Sequence, residues 1–296
     1  MTLEQLRIFV AVGEREHVTR AADALRLTQS AVSAAIAALE AQHGVTLFHR
    51  VGRRVELSAE GRLFLDEARA VLARAAAAER ALADLNDLKK GSLSVQASQT
   101  IASYWLPRRL VTYHRTHPQI EVTLSVGNTM QVAKAVNEGV AELGFVEGKI
   151  DDSALELTAV DRDRLAIVVA PGHSWARKPR LAPEELVTSE WVLRETGSGT
   201  RSEFEAALRQ RGIAPETLKP AFELPSNEAV RAAVEAGAGA AAISELVVAS
   251  GLQSGALVHV PFKLPERTFH VLRHRTRYQS RAGEAFMAVL NASRRR

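Results

Sequence analysis

Residues 18–58, VTRAADALRLTQSAVSAAIAALEAQHGVTLFHRVGRRVELS, read as two short helices, a tight turn and a basic hairpin. Thr19 and Thr28 stand nine residues apart, and each hydroxyl can accept a backbone N–H of a first helical turn, so only a short connection fits between the helices. Ala21, Ala22 and Leu25 give the first helix its apolar face. In the second, Val32, Ile36 and Leu39 recur at i, i+4, i+7, which assigns Ser30, Ser33, Ala34 and Ala37 to the opposite side, and Gly44 stops the helix. The hairpin carries apolar Leu47 and Phe48, a turn at Val51-Gly52, and Arg50, Arg53 and Arg54 with no acid between them. The pattern is that of a winged helix-turn-helix.

A helix face of hydroxyls and methyls suits a major groove, where Ser bonds base edges, Ala touches a thymine methyl and Gln pairs with adenine. Thr28, Gln29, Ser30 and Ser33 are therefore the candidate base-reading residues, and Arg50, Arg53 and Arg54 the candidate phosphate contacts. The plainer reading is a helical packing unit with a solvated basic loop.

Around this stretch, Leu3, Leu6, Phe9 and Val10 predict an opening helix that completes a three-helix core against Leu25 and Val32. Ser58 can cap a long Ala-rich helix reaching about Lys90. Along it Phe64, Ala68, Val71, Ala75, Ala78, Leu82 and Leu85 form a heptad seam, and the chain offers no second long heptad segment to cover it, so a second copy is the simplest partner. The alternative is packing on the next domain of the same chain.

The 296 residues are enough for two or three domains, and 46% hydrophobic with 24% charged content describes a globular chain. The net charge of +4 is unevenly spread: residues 265–296 hold 8 basic against 2 acidic residues, while residues 1–90 hold 13 against 12. DNA binding must then rest on a few placed groups rather than bulk charge, with Arg294, Arg295 and Arg296 read as a tail. Cysteine is absent, which excludes disulfides, thiolate metal sites and thiol-based sensing. With no signal peptide and no apolar run of about 20 residues, the sequence predicts a cytoplasmic protein without membrane attachment.

After Gly91, apolar alternations such as Leu93, Val95, Ala97 and Ile120, Val122, Leu124, Val126 alternate with helical segments at 101–116 and 129–138, a βαβ rhythm that predicts parallel sheet. Further strands are expected at 141–146, 164–170, 190–194, 221–224, 239–243, 256–260 and 267–273, with helices near 200–211, 226–236 and 280–292. In open α/β sheets a ligand binds beyond the carboxyl ends of the strands, where helix N-termini converge. Four such junctions are legible: Ser98-Gln99-Thr100, Asn128-Thr129, Thr196-Gly197-Ser198-Gly199-Thr200-Arg201 and Ser226-Asn227. Each alone reads as a helix cap. Together, with two glycines exposing N–H groups and Arg201 adding a full charge, they predict a site for a small anion, inorganic or carboxylate, with Trp105 nearby.

The run AADALRLTQSAVSAAIAALEAQHGVTLFHRVGRRVELSAEGRLF, residues 21–64, resembles the DNA-binding domain of LysR-type transcriptional regulators, and the resemblance extends over nearly the whole chain. It departs where Ala34, Ala35 and Ala37 stand in place of the long polar side chains of many relatives, which shifts specificity towards DNA shape. ASQTIASYWLP (97–107) and RETGSGTR (194–201) resemble the branch that regulates sulphur and carbon assimilation. The resemblance implies an α/β architecture in three parts: a winged helix-turn-helix at 1–58, a dimerising linker helix at 59–90, and an effector domain at 91–296 folded like a periplasmic binding protein. The two α/β lobes of that domain would be residues 91–161 with 267–296, and 162–266, holding an effector between them. It also implies double-stranded DNA with a two-fold operator as partner, a homodimer, a homotetramer built as a dimer of dimers, and contact with RNA polymerase.

Enzyme chemistry finds little footing. Gly197-Ser198-Gly199 lacks the spacing of a nucleophile elbow, His114 with His117 and His270 with His274 have no third metal ligand, and no phosphate loop or dinucleotide fingerprint occurs, so no cofactor is expected. Two readings remain, a ligand-responsive DNA-binding regulator and a small-molecule binding protein whose N-terminal segment only oligomerises. The wing arginines and the small-residue helix face favour the first.

Overall fold

The computed structural model describes residues 1–52, 54–85, 91–148 and 150–293. The chain divides into two compact units, one over Met1–Leu82 and the other over Ala83–Asn137 and Ala141–Arg296. Arg53, the stretch 86–90, the Leu85 side chain and Arg294 to Arg296 lie outside the described residues.

The first unit contains α1 (Leu3–Arg15), α2 (Val18–Leu25), α3 (Gln29–His43), the hairpin β1 (Phe48–Val51) and β2 (Arg54–Leu57), and α4 (Ala59–Leu85). Phe9 is fully buried, its ring 5.4 Å from Phe48 and 5.0 Å from Phe64, so one side chain joins α1, the hairpin and α4. The buried side of α1 is wider than the expected stripe. Ile8, Ala11 and Val12 join Leu6 and Phe9 in the core because the helix is gripped from two sides, while Leu3 stays exposed.

Thr28 caps α3 as expected, accepting from the Ala31 N–H at 3.2 Å, and Gly44 ends the helix in the left-handed conformation at φ 65°. The cap of α2 differs from expectation. His17, not Thr19, takes the role, its Nδ1 accepting from the Arg20 N–H at 3.5 Å, because the helix already starts at Val18, which packs on the core.

The hairpin pairs Phe48 with Leu57 and Val51 with Arg54. Glu40 holds it to α3, one carboxylate oxygen accepting the Leu47 and Phe48 N–H groups at 2.7 and 3.1 Å. Buried Ser58 joins hairpin to α4: its hydroxyl donates to the Thr46 carbonyl at 2.7 Å and accepts from the Gly61 N–H at 2.8 Å. On α4 the expected seam splits. Phe64 and Ala68 are spent on the core of this unit, whereas Val71 is 41% and Leu82 65% exposed.

The second unit is built on a mixed sheet. β3 (Gly91–Ser98), β4 (Ile120–Gly127) and β5 (Leu143–Glu147) are parallel, in the order β4-β3-β5. The returning strand β11 (Glu266–His274) lies antiparallel to β5 and to β6 (Leu155–Val169). The C-terminal part of β6 then pairs antiparallel with β9 (Ala241–Ser244) and β10 (Val258–Val260), while β7 (Glu190–Arg194) and β8 (Lys219–Leu224) form a parallel pair. β6 is thus one strand shared by two lobes. Its first half escaped the periodicity because Asp161, Arg162 and Asp163 read as loop, although Asp163 is buried.

The helices α5 (Leu106–Thr116), α6 (Thr129–Glu138), α7 (Gly199–Arg209), α8 (Asn227–Glu235), α9 (Glu245–Ser254) and α10 (Arg281–Ser293) cover the sheets. α5 is entered through a wide π turn at Ile101–Trp105. The unexpected helix is α9, a mostly apolar segment capped by Ser244, which accepts from the Leu246 N–H at 3.1 Å. Trp105 belongs to a core rather than to a cleft lining: its ring packs 5.9 Å from Phe145 and 6.0 Å from Phe269, and its Nε1 donates to Asp161 at 2.6 Å.

Ser58→Ala removes a helix cap and leaves the Gly61 N–H without its acceptor inside the fold. We expect a loss of about 1–2 kcal/mol, read as a lower urea midpoint of the first transition.

Candidate functional site

In the first unit, Thr28, Gln29, Ser30, Ala34 and Ala37 are exposed and Ser33 is half-buried, while Val32, Ile36 and Leu39 face the core. The N-terminal part of α3 therefore presents hydroxyls, one amide and methyl groups, with the Thr28 and Ser30 hydroxyls 3.1 Å apart. Beside it, the start of α2 and the hairpin enclose an open cleft of about 350 Å³, into which His17, Thr19, Gln29, Ser33, Arg50 and Arg54 project. Among the described residues no Asp or Glu lines it. Small side chains beside free cations make a surface for a polyanion with a groove.

In the second unit, β3, β4 and β5 end on one side, and their last residues meet α7 and α8. Ser98 and Thr100 are buried, as are Thr129, Ser198, Gly199, Thr200 and Asn227. They close around a group that the sequence reading left out, the carboxylate of Glu147 at the end of β5, 2% exposed. Ser98 donates its hydroxyl to one oxygen of Glu147, Thr200 donates to the other at 3.3 Å, and Thr129 donates to the Glu147 carbonyl at 2.9 Å.

Arg267 completes the cluster. Its Nη1 lies 3.5 Å from Glu147 Oε1 and donates to the Thr200 hydroxyl at 3.0 Å, and its Nε donates to Asp163 at 2.7 Å. Nη2 lies 2.6 Å from the same Asp163 oxygen without an aligned hydrogen bond, and Ser244 donates to the other Asp163 oxygen at 2.9 Å. Two carboxylates thus share one buried guanidinium. Gly199 allows the approach: a Cβ there would stand 2.2 Å from the Glu147 carbonyl oxygen and 2.4 Å from the Thr129 hydroxyl.

A second polar bridge runs alongside. Gln99 accepts from the Asn227 backbone N–H at 2.6 Å and donates to Glu228 at 2.7 Å. Asn227 donates to the Thr100 hydroxyl at 2.9 Å and accepts from Arg194 at 2.5 Å. Tyr104 also donates to Glu228, and burial followed by that carboxylate raises its phenol above the ordinary value.

Residues 3–62 match the model of the bacterial regulatory helix-turn-helix protein, lysR family, and residues 86–295 match that of the LysR substrate binding domain. The chain belongs to the LysR family of transcriptional regulators. This LysR regulator is 36% identical over 289 residues to the HTH-type transcriptional regulator YeiE of Escherichia coli (strain K12), covering 97% of this chain and 96% of that one. It is 33% identical over 290 residues to a probable RuBisCO transcriptional regulator of Trichormus variabilis, covering 96% and 86%. Among solved structures, full-length CbnR in complex with its target DNA superposes with a TM-score of 0.73 at 22% identity, covering 99% of this chain and 100% of CbnR. The regulatory domain of Synechocystis CcmR in complex with 2-PG superposes with 0.62 at 24%, covering 68% and 96%. The LysR regulator thus pairs a DNA-binding domain with an effector-binding domain and is not an enzyme.

Against this geometry the expected effector residues sort into three groups. Ser98, Thr100, Thr129, Gly199, Thr200 and Asn227 are buried where the strand ends meet α7 and α8, with Gln99 bonded to Asn227 and Glu228. Asn128 and Ser226 are spent as caps of α6 and α8, bonding Gln131 and Ala229, while Thr196 is exposed. Gly197 is half-buried, its carbonyl accepting the Met130 N–H at 3.3 Å, and Ser198 leads into α7 without a side-chain cap bond.

Arg201 is a correction. It donates to Glu205 at 2.9 Å, to the Arg194 carbonyl at 3.1 Å and to Glu223 at 2.5 Å, so it offers no fork to a ligand; the bond from Arg201 holds the Glu223 carboxyl below its ordinary range. The buried cation of the cleft is Arg267. A legible sign of Glu147 was an acid ending the buried strand Leu143–Glu147, the end at which an α/β sheet binds its ligand; Arg267 and Asp163 gave no comparable sign.

One histidine of each pair is engaged elsewhere. His117 bonds the Thr116 hydroxyl at 2.8 Å and stacks on Tyr113, and His274 accepts from the Thr276 N–H at 3.3 Å. No group of three metal-binding side chains and no helix long and apolar enough to cross a membrane occurs among the described residues.

Gly199→Ala forces a methyl into the Glu147 carbonyl, so the two lobes must separate locally. We expect an overpacking cost of about 1–3 kcal/mol, seen as a lower Tm of the full chain. An unchanged Tm would show that this contact is not closed in solution.

Proposed function

We propose that this LysR regulator reads a two-fold DNA site as a homodimer and senses a small anion, inorganic or carboxylate, in the cleft between its lobes. The division that serves this is a reading head at 1–58, a linker helix at 59–90 and an effector domain at 91–296, its lobes 91–161 with 267–296 and 162–266. Thr28, Gln29, Ser30 and Ser33 are the proposed base-facing residues, and Arg50, Arg53 and Arg54 the phosphate contacts. A chromosomal target implies the cytoplasm. Assembly into a dimer of dimers and contact with RNA polymerase rest on the family resemblance.

The observation that carries the DNA reading is the acid-free cleft beside a small-residue helix face; the DNA complex of CbnR, similar in fold, supports it. The exposed Val71 and Leu82, left over once Phe64 and Ala68 are buried, support dimerisation through α4. Replacing both Val71 and Leu82 by Asp sets like charges against a partner helix. Light scattering is expected to report a monomer and a mobility shift to report loss of tight DNA binding; a persisting dimer with normal binding would refute the seam.

The observation that carries the anion reading is the Glu147 carboxylate itself. Hydroxyls from Ser98 and Thr200 and the Arg267 guanidinium already hold an oxyanion of the protein's own chain, and Arg267 Nη2 still lacks an aligned acceptor. An effector anion competes with Glu147 for these donors and shifts the lobes towards whichever arrangement holds it better. The complex of CcmR with 2-PG supports a small acidic ligand in a like fold.

Thermal shift of the full chain against sulfate, sulfite, phosphate and small carboxylates tests this, since a ligand at a hundred times its Kd stabilises by about 2.7 kcal/mol. At least one anion should raise Tm for the native chain, and Thr200→Val or Arg267→Gln should remove the rise. No anion raising Tm, or an equal rise in both variants, would refute the site.

A further inference from the structure

We propose that His17 is a DNA-backbone contact: a neutral imidazole that caps α2 with one nitrogen and donates the N–H of the other to a phosphate seated between α2 and the wing. The inference rests on the DNA-binding reading of this face and adds a residue to it. Nδ1 accepts the Arg20 N–H at 3.5 Å, so in the neutral ring the hydrogen sits on Nε2. The half-buried ring lines the cleft shared with Thr19, Gln29, Ser33, Arg50 and Arg54. Arg50 and Arg54 form no ion pair among the described residues, and no carboxylate lines the cleft to compete with an incoming phosphate.

The choice of residue carries the rest of the argument. Ser, Thr, Asp and Asn are the strong helix caps. A ring capping at 3.5 Å holds α2 less well than a serine would, so stability does not account for it. The far nitrogen does: it gives a residue that lines the cleft a further donor, while the cap fixes the ring's tautomer. The first N–H groups of α2 and the exposed Thr19 hydroxyl stand at the same end of the cleft, where the helix carries partial positive charge.

The test is fluorescence anisotropy of the full chain with a labelled random-sequence duplex across a salt series. It compares the native protein with His17→Ser, which keeps a cap acceptor, and with Arg54→Gln. His17→Ser is expected to melt no lower than the native chain, to bind roughly tenfold to a hundredfold more weakly, as for a lost bond to a charged group, and to keep the native salt slope because no charge is removed. Arg54→Gln should lose about 0.9 from the slope for each head bound to the duplex. Native affinity for His17→Ser beside a loss for Arg54→Gln overturns the histidine contact alone, and a slope loss in His17→Ser equal to that of Arg54→Gln overturns the neutral donor. Native affinity and slope for both variants removes the whole face from the DNA interface, and the proposed function fails with it.

Discussion

The effector domain depends on one buried guanidinium. Arg267 stands at the start of the returning strand β11, where β6 passes from one lobe to the other, and it holds Glu147 from the end of β5 and Asp163 from the middle of β6. Taking three charges out of water costs several kcal/mol for each ion. Ser98, Thr200 and Ser244 offset that cost with hydrogen bonds to the two carboxylates. The arrangement is a poor device for raw stability, since well-packed apolar groups of the same volume often do as well. In the function proposed above it serves as a switch, because an added anion would find donors already aimed and would contend with a carboxylate already held.

Small residues surround the Glu147 end of β5. Thr129, Gly199 and Thr200 let α7 approach β5 so closely that a single methyl at Gly199 would collide with backbone. Close approach excludes water, and a dry site makes each hydrogen bond count for more. Arg201, the obvious cation of the glycine-rich stretch, serves instead to tie α7 to Glu205 and Glu223 on the lobe surface.

The DNA-binding head solves a different problem with less charge. Glu40, beside the hairpin, is turned inward to hold the Leu47 and Phe48 N–H groups. Arg50 and Arg54 line the cleft and form no ion pair among the described residues. Phe9, clasped between Phe48 and Phe64, fixes the hairpin against the helices, so the positions of the arginines follow from packing rather than from the loop.

Local order was legible in the sequence alone. The i, i+4, i+7 spacing of Val32, Ile36 and Leu39, the Thr28 cap and the Gly44 stop fixed α3 and its outward face, because helix periodicity and capping are properties of residues within a few positions of one another. The parallel strands and their Ser98, Thr129 and Thr200 ends were legible for the same reason. Only the tertiary structure decided which charges meet. Glu147 and Arg267 lie 120 positions apart in the chain, and of the two partners of Arg201 only Glu205, one helical turn on, is near in sequence, whereas Glu223 comes from β8. Partner choice for a long charged side chain depends on where other strands place their ends, and on what burial leaves unsatisfied. No local pattern encodes that.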